Sequence, residues 1–184
     1  MMSAAEESVT REEIAASVVM PHFCAVQDVF SAFEVEPGVR LEKLAKVKFR
    51  IEPKVHDKPR HFAATYEDAR LMIFAPEIVD LPFETLVAIL SHEFGHAADF
   101  AYPARWFMAG GGGPSTASWI PEKRTDSRLF RQWDKAWTGR SRDQVEWAAD
   151  GIAQHVTGQK ITYCGDCMLQ TFSGCGVERP KGLR

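Results

Sequence analysis

Residues 81–100 have the sequence LPFETLVAILSHEFGHAADF. Its apolar side chains recur at helical spacing, at Phe83, Leu86, Val87, Leu90, Phe94 and Ala97. This spacing is typical of a helix with one face against a core. Asp80 precedes Leu81-Pro82, which predicts an N-cap followed by proline in the first turn. We therefore expect one long helix that begins near residue 81 and ends near Phe100.

Two histidines on this helix predict a metal site. His92 and His96 lie one turn apart, so both imidazoles project from one face and can bind a single ion. Glu93 lies beside them, where a carboxylate can accept a proton from a water held at the metal. The alternative is a surface helix whose histidines and glutamate merely touch. Gly95 favours the metal site: glycine inside a helix costs about 1 kcal/mol against alanine, and close approach of a neighbouring strand would require it.

A second segment offers the remaining ligand. EWAAD (146–150) lies in a predicted helix over 141–157, and its two carboxylates are four residues apart and share a face. A catalytic zinc takes three protein ligands and keeps one position open. Ligating histidines usually donate their other N–H to a carboxylate. We therefore expect Glu146 to bind the metal and Asp150 to hold a histidine.

The two motifs together resemble those of the gluzincin metallopeptidases, and of the minimal gluzincins in particular. HEFGH (92–96) matches the HExxH motif and EWAAD (146–150) the downstream ExxxD motif, and the likeness covers roughly residues 62–157. The tail, CGDC...SGCGVERPKGLR, is similar to that of small predicted metallopeptidases of actinobacteria and their phages. The resemblance implies a zinc-dependent metalloendopeptidase with a zincin-like α+β fold. In that fold a small antiparallel sheet packs on the HExxH helix and on a second helix that carries ExxxD.

The resemblance also implies a role for each matching residue. The zinc ligands would be His92, His96 and Glu146, with Glu93 as general base and acid and Asp150 bound to a ligating histidine. It does not identify the residue that polarises the substrate carbonyl. Three candidates remain for that role: Tyr102, His155 and Tyr163.

The rest of the chain predicts one domain over residues 1–160 with a cysteine-rich tail, 161–184, packed on it. Helices are expected over 10–33, with Pro21 as a kink or break, and over 127–137. Strands are expected within 47–75, and the stretch 102–121 is too rich in glycine to predict any element. The strand that would bind substrate, as an added antiparallel strand, comprises Arg70, Leu71, Met72, Ile73, Phe74 and Ala75.

Three cysteines in the tail form a separate candidate site. Cys164, Cys167 and Cys175 have the spacing C-x2-C-x7-C. In a reducing compartment this pattern indicates a second, structural zinc, with His155 or Cys24 as the missing ligand. A disulfide, or thiols packed as small apolar groups, are the alternatives.

Two further polar residues near the motifs have ordinary interpretations. Asp99 follows His92 by two turns and could bind the metal or brace the site, although pairing with a nearby base is more common. His155 lies about 180° round its helix from Glu146. If Glu146 faces the zinc, His155 does not.

Charge and composition limit the classes of partner. The formal net charge is −3, which disfavours broad binding to nucleic acid or to an anionic membrane. The apolar stretches are far shorter than a membrane span, and the acidic N-terminus differs from a signal peptide. We expect a cytoplasmic protein whose partner is a peptide or protein substrate, with its oligomeric state left open. The rival hypotheses are a non-catalytic, zinc-stabilised protein-binding domain and a nucleic-acid-associated protein with a zinc-knuckle tail.

Overall fold

The computed structural model describes residues 9–53, 62–66, 70–109, 116–124 and 127–159. Within these ranges the chain is α+β, as expected, with four α-helices and three small sheets. The helices are α1 (Arg11–Ala32), α2 (Phe83–Ala101), α3 (Arg128–Thr138) and α4 (Arg142–Thr157). The strands are β1 (Glu34–Glu36), β2 (Val39–Arg40), β3 (Lys48–Ile51), β4 (Ala63–Thr65), β5 (Leu71–Phe74), β6 (Trp106–Ala109) and β7 (Thr116–Trp119). The tail over 161–184 lies outside the described residues.

The largest sheet has the strand order β3-β5-β4. β4 and β5 lie within the stretch where strands were expected, and they pair antiparallel, with Ala64 opposite Ile73. β3 lies on the other side of β5 and runs parallel to it, with Phe49 opposite Met72. The expectation of an antiparallel sheet is therefore wrong, since this sheet is mixed. The continuous apolar run of β5 is typical of a strand buried in the middle of a sheet rather than of an edge strand.

Helix α1 begins at a capping box, in which Thr10 and Glu13 each bond to the other's backbone. It continues through Pro21 instead of breaking there. One face of α1 lies in the core, through Ala15, Val19, Phe23, Val26 and Phe30. By length and composition α1 is long and apolar enough to cross a membrane. This finding contrasts with the expectation that every apolar stretch is far too short.

Helix α2 forms the centre of the molecule and packs against α4, α1 and β4. Pro82 is its N-cap, whereas Asp80 lies in the preceding 3-10 turn, Pro76–Asp80, and pairs with Arg11. The prediction of Asp80 as the N-cap is therefore wrong. All residues of α2 from Leu90 to Asp99 are buried, because other elements cover it on every side.

The region predicted to be irregular contains a regular hairpin. β6 and β7 pair antiparallel, with Trp106 opposite Trp119. Trp106 is fully buried, and its indole N–H donates to the carbonyl of Ala98 on α2 over 3.4 Å. The many glycines between residues 102 and 121 led to the wrong prediction that this stretch contains no regular element. The aromatic residues Trp106, Phe107 and Trp119 favour strands and are the signal that would have predicted them.

Candidate metal centre

Three side chains from two facing helices converge at the predicted site. His92 and His96 project from α2, and Glu146 projects from the first half of α4. Oε2 of Glu146 lies 3.2 Å from Nε2 of His92 and 2.9 Å from Nε2 of His96. All three potential ligand atoms lie within 4.8 Å of one another. The structure therefore brings together the three candidate ligands that the sequence predicted, although 50 residues separate His96 from Glu146 along the chain.

The dimensions of this group fit a metal ion. Ligand atoms about 2.1 Å from a tetrahedral zinc are separated from one another by about 3.4 Å. The two distances from Glu146 are a few tenths of an ångström shorter than this, which a small adjustment of the side chains would correct. Two imidazole nitrogens and one carboxylate oxygen form a donor set that zinc accepts. Three protein ligands also leave the fourth position open.

Gly95 explains why the two helices approach closely enough for their side chains to form one candidate metal site. A Cβ at this position would lie 2.1 Å from the carbonyl oxygen of Ala149 on α4. The requirement for a missing side chain is confirmed, but the neighbour is helix α4 rather than a strand. Because Gly95 lies beside His96 and Ala149 precedes Asp150, this contact sets the separation between the two halves of the site.

Asp150 has the role predicted for it. Nδ1 of His92 donates to Oδ1 of Asp150 over 2.8 Å, and Asp150 is almost fully buried. This bond directs Nε2 of His92 towards Glu146. A carboxylate behind a ligating histidine orients the ring and makes it a stronger ligand.

The charges around the site shift two of its pKa values in opposite directions. Burial lowers the pKa of His92, but Asp150, Glu146 and Glu93 outweigh burial and hold it well above the ordinary value. Burial raises the pKa of Glu146, but hydrogen bonds from His92 and His96 outweigh it and hold that pKa far below the ordinary range. Without a metal, the raised pKa therefore favours a protonated His92 between the carboxylates of Asp150 and Glu146. A metal cation would replace that proton.

Glu93 lies beside the ligands without belonging to the metal group. Glu93 is only 5% exposed. Its carboxylate accepts a hydrogen bond of 2.6 Å from the hydroxyl of Thr65 on β4. Thr65 belongs to neither of the two sequence motifs. Only its position on the inward face of a predicted strand could have indicated it.

Asp99 pairs with a base, as its ordinary interpretation predicted. It is fully buried and accepts from Nη2 of Arg140 over 2.6 Å and from the indole N–H of Trp137 over 3.0 Å. The Arg140 guanidinium also lies over the Trp137 ring. Since Arg140 immediately precedes the N-cap of α4, this network fixes the start of α4 to the end of α2.

Two candidates for polarising a substrate carbonyl have structural contacts instead. His155 packs edge-on against Phe33 and Trp106, and burial lowers its pKa. The hydroxyl of Tyr102 accepts a hydrogen bond from the backbone N–H of Lys43 over 3.2 Å. The third candidate, Tyr163, lies outside the described residues.

The structural zinc site predicted at the tail cysteines lies outside the described residues. Cys164, Cys167 and Cys175 fall in the part of the chain that the structure does not describe. Cys24 is exposed on α1, and its sulfur lies 3.9 Å from that of Met20. The structural zinc therefore stays a prediction.

The predicted substrate strand does not have a free edge. Residues 71–74 form β5, whose hydrogen-bonding edges are both occupied, by β3 on one side and β4 on the other. The expectation that substrate pairs with Arg70–Ala75 is therefore wrong, because a strand can be added only at the edge of a sheet. Within the described residues, β4 and β3 are the two edge strands of this sheet, and each is paired on one side only.

Comparison of the chain with protein-family models finds no match. Comparisons with curated proteins and with solved structures find none either. The likeness to gluzincins therefore rests on the two motifs, HEFGH and EWAAD, and on the side chains that they bring together.

Proposed function

We propose that the chain is a zinc-dependent metalloendopeptidase with a zincin-like arrangement of its two central helices. One observation carries the proposal: two histidines and a glutamate converge, while the buried Glu93 lies beside them and is free of ligation. A site that only stabilised the fold would gain nothing from a further carboxylate that lies next to its ligands and does not bind the metal. A hydrolytic site needs one to move protons.

Zinc bound here would supply Lewis acidity, which polarises a carbonyl and makes water acidic near neutral pH. His92, His96 and Glu146 would hold the ion, and Asp150 would keep the ring of His92 in place. Glu93 accepts a proton from the attacking water and passes it to the nitrogen of the departing amine. Peptide hydrolysis needs both transfers, and one carboxylate can perform them in turn.

The free side of β4 is the surface that we propose for the substrate. Main-chain pairing with a sheet edge binds an extended peptide without demanding a particular sequence. Thr65 at the end of β4 contacts Glu93 directly. A peptide paired with β4 would therefore pass beside the carboxylate that transfers the proton.

The partner in this proposal is a peptide or protein, and the location is the cytoplasm. A second, structural zinc would be held by the tail cysteines. Native mass spectrometry tests both metal sites together: we expect two zinc ions per chain, with one lost in His92→Ala. One zinc in the wild type, with tail thiols that cannot be titrated until a reductant is added, would indicate a disulfide instead.

The decisive experiment compares the zinc-loaded wild type with Glu93→Gln on a denatured proteome, with the new termini identified by mass spectrometry. We expect cleavage by the wild type and a loss of several orders of magnitude in the variant, which keeps its zinc. Equal products from both proteins would assign the cleavage to another base or to a contaminant. No cleavage by either, with zinc bound, would favour the non-catalytic domain, and zinc-dependent retention on nucleic acid would favour the other rival.

A further inference from the structure

The carboxylate of Glu93 has one hydrogen-bond donor among the described residues, the hydroxyl of Thr65. The distance of 2.6 Å lies in the range of a charge-assisted O–H···O⁻ bond, which is about twice as strong as a neutral one. Glu93 is 5% exposed, so water does little to replace this bond. A buried carboxylate without a donor would be costly.

Thr65 reaches Glu93 because of the way β4 packs. Thr65 is the last residue of β4 and lies opposite Met72 on β5. It shares a sheet face with Ala63, two residues earlier, and β4 packs against α2. The same hydroxyl lies 3.2 Å from the main-chain oxygen of Glu93. Because a hydroxyl carries one hydrogen, the shorter contact with the charged carboxylate receives it.

We propose that Thr65 is a positioning residue for proton transfer by Glu93. The Thr65 hydroxyl holds Oε2, which directs Oε1 towards the water that attacks the substrate. The transferred proton moves onto Oε1 and then to the amine nitrogen, while the Thr65 proton stays on its own oxygen. This role rests on the proposed peptidase function. In this role Thr65 does not contact the metal.

The rotational freedom of the Glu93 side chain sets the size of the expected effect. A glutamate side chain rotates about three bonds, and without a fixed oxygen its carboxylate samples several orientations. A misplacement of about 1 Å can reduce a rate by about 100-fold. Loss of a group that orients a reacting side chain typically costs about 10- to 100-fold. Substrate binding at the sheet edge does not depend on the hydroxyl, so the loss is expected in kcat and not in KM.

Three variants test the role in the zinc-loaded protein. Thr65→Val removes the hydroxyl at nearly constant shape, and we expect kcat to fall by about 10- to 100-fold at unchanged KM and zinc content. Thr65→Ser keeps the hydroxyl and should recover most of the rate. Thr85→Val is the matched control, because the Thr85 hydroxyl on α2 is buried and has no hydrogen-bond partner in the described structure. Its kcat should equal that of the wild type.

A second measurement needs neither activity nor metal. The urea midpoint of the zinc-free protein is determined for Thr65→Val, for Glu93→Ala and for the double variant. We expect Thr65→Val to lower the midpoint in the native background, since it leaves the Glu93 carboxylate buried without a donor. The same substitution should have little effect once Glu93 is alanine.

The outcomes separate this inference from the proposed function. Wild-type cleavage together with an unchanged kcat in Thr65→Val would overturn the positioning role alone. Equal losses in Thr65→Ser and Thr65→Val, or a urea shift that is the same in both backgrounds, would reduce Thr65 to a structural residue of β4. A wild type that does not cleave would overturn the proposed function and this role with it, even where the urea cycle finds the two side chains coupled.

Discussion

Gly95→Ala is the substitution that tests most directly how the two helices form the site. The added Cβ would lie 2.1 Å from the carbonyl oxygen of Ala149, 2.8 Å from its carbonyl carbon and 3.0 Å from its Cα. All three are backbone atoms, so no side chain can rotate away. To reach a tolerable separation of about 3.4 Å, α2 and α4 must move apart locally by about 1.3 Å.

The energetic cost follows from two opposing effects. Overpacking a buried contact costs about 1–3 kcal/mol, and a clash with backbone belongs at the upper end. Alanine in place of glycine inside a helix returns about 1 kcal/mol. We expect Gly95→Ala to lower the free energy of unfolding of the zinc-free protein by about 2 kcal/mol.

The effect on the metal should be larger than the effect on stability. Glu146 lies 3.2 Å and 2.9 Å from the two histidine nitrogens, and a shift of about 1.3 Å would exceed the ±0.2 Å tolerance of metal–ligand distances. We expect zinc affinity to fall by about 100-fold or more, measured by competition with a chromophoric chelator. Urea unfolding monitors stability in the same samples.

Gly139→Ala provides the matched control. A Cβ at Gly139 would meet its nearest neighbours at 3.8 Å and 3.9 Å, which is ordinary van der Waals contact. This variant should keep the wild-type zinc affinity. If Gly95→Ala also kept both its stability and its affinity, the close approach of α2 and α4 would not be what sets the geometry of the site.

Three further predictions concern the groups around the metal. Glu146→Ala should nearly abolish tight zinc binding, whereas Asp150→Asn should keep the metal with affinity or activity lowered by about 10- to 100-fold; competition with a graded series of chelators ranks the two. Zinc binding near neutral pH should release a proton, because the raised pKa of His92 keeps it protonated in the zinc-free protein; calorimetry in buffers of different ionisation enthalpy counts it. The proton on His92 stabilises the zinc-free fold fully below its ordinary pKa of about 6.5, and this contribution is lost as the pH rises through the raised value. Asp99→Ala should lower the free energy of unfolding by about 3–5 kcal/mol, since it leaves the buried Arg140 guanidinium without its carboxylate; urea denaturation measures it.

Each of these expectations has a result that would contradict it. Loss of zinc in Asp150→Asn, with zinc retained in Glu146→Ala, would exchange the roles of the two carboxylates. A zinc affinity independent of pH would mean that His92 carries no proton to displace. For Asp99, the control is Arg11→Ala, which breaks an exposed ion pair and should cost less than about 1 kcal/mol. If the two variants lost the same free energy of unfolding, the buried Asp99–Arg140 pair would contribute no more to stability than an exposed pair.

The sequence alone predicted the helices well because their signals are local. A capping box begins α1 at Thr10 and α4 at Ser141, Gly158 ends α4 with a left-handed backbone, and apolar spacing defines α2. Each of these signals acts over one or two turns. The candidate metal ligands followed from the same locality: a spacing of four residues puts two side chains on one face, whatever the helix packs against.

Only the tertiary structure decided how the strands pair and what surrounds the site. The sequence of a strand does not show which strands pair with it. The segment LMIF (71–74) was therefore predicted to bind substrate at a sheet edge, although it is the central strand of a mixed sheet. Gly95 indicated a close contact, but not that its neighbour is Ala149. The Thr65–Glu93 bond joins residues 28 apart in the chain, and neither residue carries a pattern that names the other. Pairing between distant segments depends on the fold of the whole chain, and helix periodicity contains no information about it.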